Sequence, residues 1–105
     1  MKEITPAQLK ALKDQHAAFQ LIDVREPHEF DICEIGGTLI PMGEVVNRLN
    51  EIRKDIPVVV HCRSGKRSAA VVETLEKLYG YTNVSNLAGG ILGYAEQVDP
   101  TLTRY

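Results

Sequence analysis

The chain has 105 residues, of which 44% are apolar and 25% charged, and a net charge of −2. That suits one domain over residues 1–105, with enough apolar side chains for a core. The slight negative charge argues against nucleic acid as the main partner, and no stretch approaches the roughly 18 apolar residues of a membrane span. The two cysteines, Cys33 and Cys62, make no disulfide framework. The opening Met1-Lys2-Glu3-Ile4-Thr5-Pro6 lacks the apolar segment of a secretory signal. The expected location is therefore the reducing cytoplasm. His16, His28 and His61 stand far apart and no Cys-x-x-Cys occurs, so no metal site is expected.

In chain order, Thr5-Pro6-Ala7-Gln8 reads as a helix start with a capping box. Leu9 and Leu12 share one face of that helix, which should end near Ala17. Phe19–Val24 reads as a buried strand and Pro27–Ile32 as a brief helix. Gly36-Gly37 is a turn, and Thr38–Pro41 is a short strand. Glu44–Ile52 is predicted helical, with Val45, Leu49 and Ile52 on one face. Pro57–His61 is the most apolar strand, and Ser68–Leu78 the next helix, ended by Gly80. Asn83–Leu87 is a last strand. Gly89-Gly90 opens a final helix, Ile91–Val98, which Asp99-Pro100 stops. Short apolar strands alternating with helices predict an α/β domain. Its sheet should be mainly parallel, with helices on both faces. In such sheets ligands bind outside the carboxyl ends of the strands. Cys62 follows what should be a central strand, and Asp23 and Arg25 end another.

The stretch His61-Cys62-Arg63-Ser64-Gly65-Lys66-Arg67-Ser68 carries the chemistry. It places a cysteine between a buried strand and a helix start. The loop's N–H groups can form a positive cup, and the helix N-terminus adds partial positive charge. Arg63, Lys66 and Arg67 add three cations. Each contribution favours the thiolate and lowers the Cys62 pKa from its ordinary ~8.5. Gly65 is expected to serve backbone geometry, through positive φ or close approach. Ser68 either offers a hydroxyl or caps the helix. Arg63 and Lys66 either recognise a donor or are solvated. Arg67 either binds an anion or holds the loop by pairing with Asp23 or Glu29. Asp23 and Arg25 read as an architectural pair beside the site, with solvated charges as the alternative. His61 should pack in the core, since adjacent strand residues point to opposite sides. Cys33 is a packing residue or a second, resolving thiol. Gly89-Gly90 reads as a tight turn near the site.

Three stretches together resemble a known family. Leu21-Ile22-Asp23-Val24-Arg25-Glu26-Pro27-His28-Glu29-Phe30 resembles the first signature of rhodanese domains. Cys62–Ser68 resembles their active-site loop, and Asn86-Leu87-Ala88-Gly89-Gly90-Ile91 their closing signature. The resemblance spans nearly the whole chain and implies a rhodanese-like fold with about five strands. Glu34–Pro41 and Val98–Tyr105 look like the rhodanese domains fused to adenylyltransferases of molybdopterin and thiamine biosynthesis. The resemblance implies a sulfurtransferase in which Cys62 takes a sulfane sulfur from a small donor such as thiosulfate. Cys62 then holds it as a persulfide and passes it to cyanide, a thiol or a protein. A ubiquitin-like sulfur carrier or an adenylyltransferase would be such a protein partner. Arg63, Ser64, Gly65, Lys66, Arg67 and Ser68 would bind the substrate, with Asp23 and Arg25 supporting them. No metal or organic cofactor is needed. One alternative is a sulfur-carrier or docking module with little turnover. Another is a phosphatase or arsenate reductase on the same loop. Tyrosine-type phosphatases, however, carry a loop one residue longer between Cys and Arg, which accommodates a tetrahedral phosphoryl group.

Overall fold

A computed structural model describes residues 1–105. Five parallel strands form one sheet in the order β1-β5-β4-β2-β3. They are β1 (Glu3–Ile4), β2 (Gln20–Asp23), β3 (Thr38–Leu39), β4 (Val58–His61) and β5 (Val84–Leu87). The helices are α1 (Pro6–Asp14), α2 (Pro27–Ile32), α3 (Lys66–Tyr79) and α4 (Gly90–Gln97). No helix is long and apolar enough to cross a membrane.

β4 lies at the centre, between β2 and β5. Its side chains are buried on both faces, which explains its unbroken apolar run. Val58, Val60 and Cys62 join a core with Val71, Val72 and Leu75 of α3. Val59 faces the other way, into a second core with Leu9 of α1 and Ile91 and Tyr94 of α4. β2 alternates in step: Ile22 and Val24 enter the first core and Leu21 the second. The pleat therefore sends His61 and Cys62 to opposite faces, as expected.

Four details differ from the sequence expectation. β1 was not anticipated; two residues with one apolar side chain carry no periodicity, and pairing with Asn86 and Leu87 of β5 defines it. α1 stops at Asp14 rather than near Ala17, because His16 turns left-handed at φ 51°. The predicted helix over Glu44–Ile52 is instead two 3₁₀ turns, Met42–Glu44 and Val46–Glu51, with Arg48 off helical geometry. Val45, Val46, Asn47 and Asn50 are weak helix formers. Val45 and Ile52 still reach the core and Leu49 packs against it, so packing rather than propensity sets this segment. α3 starts at Lys66, two residues before the expected Ser68, with Gly65 as its N-cap.

Candidate active site at the end of β4

The last difference shapes the site. Gly65, the N-cap of α3, has φ 101°, and it has no side chain with which to cap. The first-turn N–H groups therefore need another acceptor. Cys62 supplies it. Its Sγ accepts from the Gly65 N–H at 3.2 Å, the Ser68 N–H at 3.4 Å and the Ser68 hydroxyl at 3.3 Å. The sulfur thus occupies the place a capping serine or aspartate oxygen would take. Ser68 is the third residue of the helix, so it donates rather than caps.

Cys62 is 1% exposed. Burial pushes its thiol pKa up. The Ser68 hydroxyl and the N–H groups of Ser68, Gly65 and Arg67 outweigh that, and the pKa falls below the usual thiol value. The loop cations contribute less than their number suggests. Arg67 attracts the sulfur, but its guanidinium is turned to Glu29, with bonds of 2.7 and 2.9 Å. Arg63 donates to the main-chain oxygen of Tyr105 at 2.7 Å. Arg63, Ser64 and Lys66 are exposed at the mouth of the loop.

The cup is held open from behind. The N–H groups of Ile91 and Leu92, in the first turn of α4, donate to the carbonyls of Cys62 and Arg63 at 2.9 and 3.1 Å. With these carbonyls turned toward α4, the following N–H groups can face the sulfur. This needs close backbone contact. A Cβ on Gly90 would lie 2.4 Å from the Arg63 oxygen and 2.8 Å from that of Cys62. Gly90 also has φ 59°. Gly90→Ala is expected to destabilise by about 2–4 kcal/mol through backbone collision and left-handed strain. An unfolding midpoint within error of the parent would refute this packing.

A chain of buried and half-buried polar groups flanks the loop. Asp23 and Arg25 are both 0% exposed, and Arg25 Nη2 lies 2.7 Å from Asp23 Oδ2. Arg25 also donates to the Cys33 carbonyl at 2.7 Å and to the Tyr105 hydroxyl at 2.9 Å. The Tyr105 hydroxyl donates onward to Glu29 at 2.7 Å, and Glu29 holds Arg67. Asp23 and Arg25 are paired and buried rather than solvated, and Glu29 is the partner of Arg67. Cys33 is half-buried, and Arg25 Nη1 lies 3.9 Å from its sulfur. His61 is fully buried, 3.6 Å from Asp23 through Nε2. Burial lowers its pKa, against the pull of Asp23, so it is a neutral packing residue.

Glu29 sits well below the usual carboxylate range, chiefly through its hydrogen bonds with Arg67, with help from Tyr105, against burial. Its proton therefore binds less readily in the folded chain than in the unfolded one. Such a group stabilises above its unfolded value of ~4.3, and the contribution is lost as pH falls below that. Glu29→Gln is expected to be less stable than the parent at neutral pH, with the gap narrowing in acid. Urea titrations at neutral and acid pH check this, and a pH-independent gap would refute it.

Sequence reasoning assigned no role to Asn86 or Tyr105, and it read Gly90 as part of a tight turn near the site without the close contact to Arg63 and Cys62. Asn86 stood within the closing signature as the polar residue of an otherwise apolar strand end. Tyr105 carried no local signal, because its partners are 42 to 80 positions away.

Residues 5–97 match the family described as the rhodanese-like domain. A probable adenylyltransferase/sulfurtransferase of Mycobacterium tuberculosis, MoeZ, is 33% identical over 105 residues, 97% of this chain and 26% of MoeZ. The chain thus spans about a quarter of that relative's length. An uncharacterized Bacillus subtilis protein, YqhL, is 42% identical over 91 residues, 86% of this chain and 69% of YqhL. Among solved structures, a rhodanese-like domain protein from Staphylococcus aureus superposes with a TM-score of 0.84 at 32% identity. That alignment covers 100% of this chain and 99% of the other. The family match runs through β4, the Cys62 loop and the first turns of α3 and α4 that shape the cup, and the chain belongs to the rhodanese-like domain family.

Proposed function

We propose that residues 1–105 act as one sulfurtransferase domain with Cys62 as the sulfur carrier. The observation that carries this reading is the Cys62 sulfur in the capping position of α3, within reach of three N–H or O–H donors. Those donors stabilise a thiolate, and an anionic persulfide needs the same kind of preorganised cup. In the first half-reaction the thiolate attacks the outer sulfur of thiosulfate. The new Sγ–S bond forms, the S–S bond of thiosulfate breaks, and sulfite leaves. In the second, cyanide or a thiolate attacks the terminal sulfur, and Cys62 leaves as the thiolate again.

Arg63, Ser64 and Lys66 recognise the anionic donor at the mouth. Gly65, Arg67 and Ser68 hold the transferred sulfur, and Asp23 and Arg25 support the loop through Tyr105 and Glu29. No metal or organic cofactor enters either step. Four residues separate Cys62 from Arg67, which favours a terminal sulfur over a phosphoryl group. In the cell the acceptor is a thiol or a protein in a reducing compartment such as the cytoplasm. A ubiquitin-like sulfur carrier or an adenylyltransferase fits, given the two activities in the name of MoeZ. A second reading, a carrier module loaded by a partner protein, is favoured by the near-complete shielding of Cys62.

Intact mass before and after thiosulfate tests the proposal. One added sulfur, removed by cyanide and absent in Cys62→Ser, supports it. No added sulfur with thiosulfate, together with loading by a persulfidated protein donor, favours the carrier module. Hydrolysis of an aryl phosphate with no sulfur uptake from either donor overturns both readings.

A further inference from the structure

The Ser68 hydroxyl has one proton and two acceptors. Its Oγ lies 3.3 Å from Cys62 Sγ and 2.5 Å from Asn86 Oδ1. A serine hydroxyl can donate to only one at a time. Asn86 is 2% exposed, at the carboxyl end of β5, so water offers its Oδ1 little competition. The amide orientation is fixed from the other side, where Nδ2 donates to the Gly65 carbonyl at 3.2 Å and to Glu3 Oε2 at 3.3 Å. Asn86 therefore touches Ser68 and Gly65, whose donors reach the sulfur at 3.2 to 3.4 Å, without touching the sulfur.

We propose that Asn86 is a positioning residue that holds the Ser68 proton while Cys62 is uncharged and releases it to the sulfur when Cys62 becomes a thiolate. In the neutral state the thiol donates to Ser68 Oγ, and Ser68 donates to Asn86 Oδ1. In the thiolate the Cys62 proton has gone to solvent, and the Ser68 O–H turns from Asn86 to the sulfur. No covalent O–H bond breaks; a hydroxyl rotates between two acceptors. This deepens the sulfurtransferase reading. When an acceptor attacks the terminal sulfur, negative charge arrives on Sγ, and the parked O–H is one rotation away from it. The capture is strongest as the leaving group forms, which is when it helps the step.

The charged and titratable groups around this pair are few. Arg67 of α3 is paired with Glu29 of α2, Lys66 and Arg63 are exposed, and His61 of β4 is neutral by burial. Glu3 of β1 touches the Asn86 amide directly. It is the charged side chain in contact with Asn86.

The test follows the Asn86 side-chain amide by nitrogen-15 NMR across the pH range in which Cys62 is alkylated. The resonance is expected to shift with the same midpoint as alkylation. Ser68→Ala should raise that midpoint by about one pH unit, the size of one hydrogen bond to an anion. In the same variant Asn86 should cease to follow Cys62. A purely structural role for Asn86 would leave its resonance unmoved through the Cys62 titration, whatever Ser68→Ala does to the midpoint. Glu3→Gln should leave the shift in place. The inference is overturned if the Asn86 resonance is flat through the Cys62 titration. It is also overturned if the resonance moves as much in Ser68→Ala, or if Glu3→Gln abolishes the shift. The parent protein alone can overturn it, so the outcome does not hang on a variant folding. A chain that takes up no sulfur, yet whose Asn86 follows Cys62, would overturn the sulfur chemistry and leave the proton switch standing.

Discussion

Cys62→Ser will lose sulfur transfer from thiosulfate to cyanide by at least about a thousandfold while keeping its fold. The fold survives because the capping position of α3 suits a hydroxyl oxygen as well as a sulfur. The Gly65 and Ser68 N–H groups that reach Sγ at 3.2 and 3.4 Å can donate to Oγ instead. Activity does not survive, because these hydrogen bonds stabilise an anion by only about 1.5–3 kcal/mol each. That lowers a thiol pKa below its ordinary value but is far too little to ionise an alcohol. Thiocyanate formation and thermal unfolding, measured on one preparation, separate the two effects. Turnover at the parent rate would end the assignment of Cys62. Loss of turnover with loss of the fold would give Cys62 a structural role instead.

Most of the fold was legible because the strands are short apolar runs bounded by Pro, Gly and polar residues. Thr5-Pro6-Gln8 marked the start of α1, and Gly80 the end of α3. The expected position of the candidate site rests on topology: Cys62 and Arg25 both follow strands that run the same way in one sheet. The ordering of forces around the sulfur was not. The loop cations are conspicuous in sequence, yet Arg67 is engaged with Glu29 and Arg63 with Tyr105. The groups that contact the sulfur are backbone N–H groups and one serine, which a residue string presents as ordinary. Their direction is set by Gly65 and by the contact of Gly90 with Arg63. Both depend on how α3 and α4 pack, which is information between segments rather than within one.

Asp23→Ala is expected to cost about 3–5 kcal/mol, a large share of the roughly 5–15 kcal/mol that holds a domain together. The ion pairs of this chain are not equivalent. Lys10–Asp14 and Arg53–Asp55 lie more than half exposed, and water and side-chain entropy leave such pairs little net stabilisation. Asp23 and Arg25 are fully buried. Burial opposes the Arg25 charge, but Asp23 and Tyr105 hold the guanidinium protonated. Without Asp23, Arg25 keeps only neutral acceptors: the carbonyls of Glu29 and Cys33 and the Tyr105 hydroxyl. Arginine cannot shed its proton to escape, so the cation stays buried without a counter-ion. The double variant Asp23→Leu/Arg25→Met should recover much of the loss, because it removes both charges together. Urea unfolding of the parent, Asp23→Ala and the double variant measures this. A single-variant cost below about 1 kcal/mol would mean that the pair is solvated. The same substitution should reach the sulfur. Arg25 orients Tyr105, Tyr105 donates to Glu29, and Glu29 fixes Arg67 over the loop. Sulfur loading should therefore slow in Asp23→Ala under conditions where it is still folded, whereas Asp55→Ala leaves loading unchanged. Stability and the proposed chemistry thus depend on one chain of polar contacts, and its buried anchor lies one strand away from the cysteine.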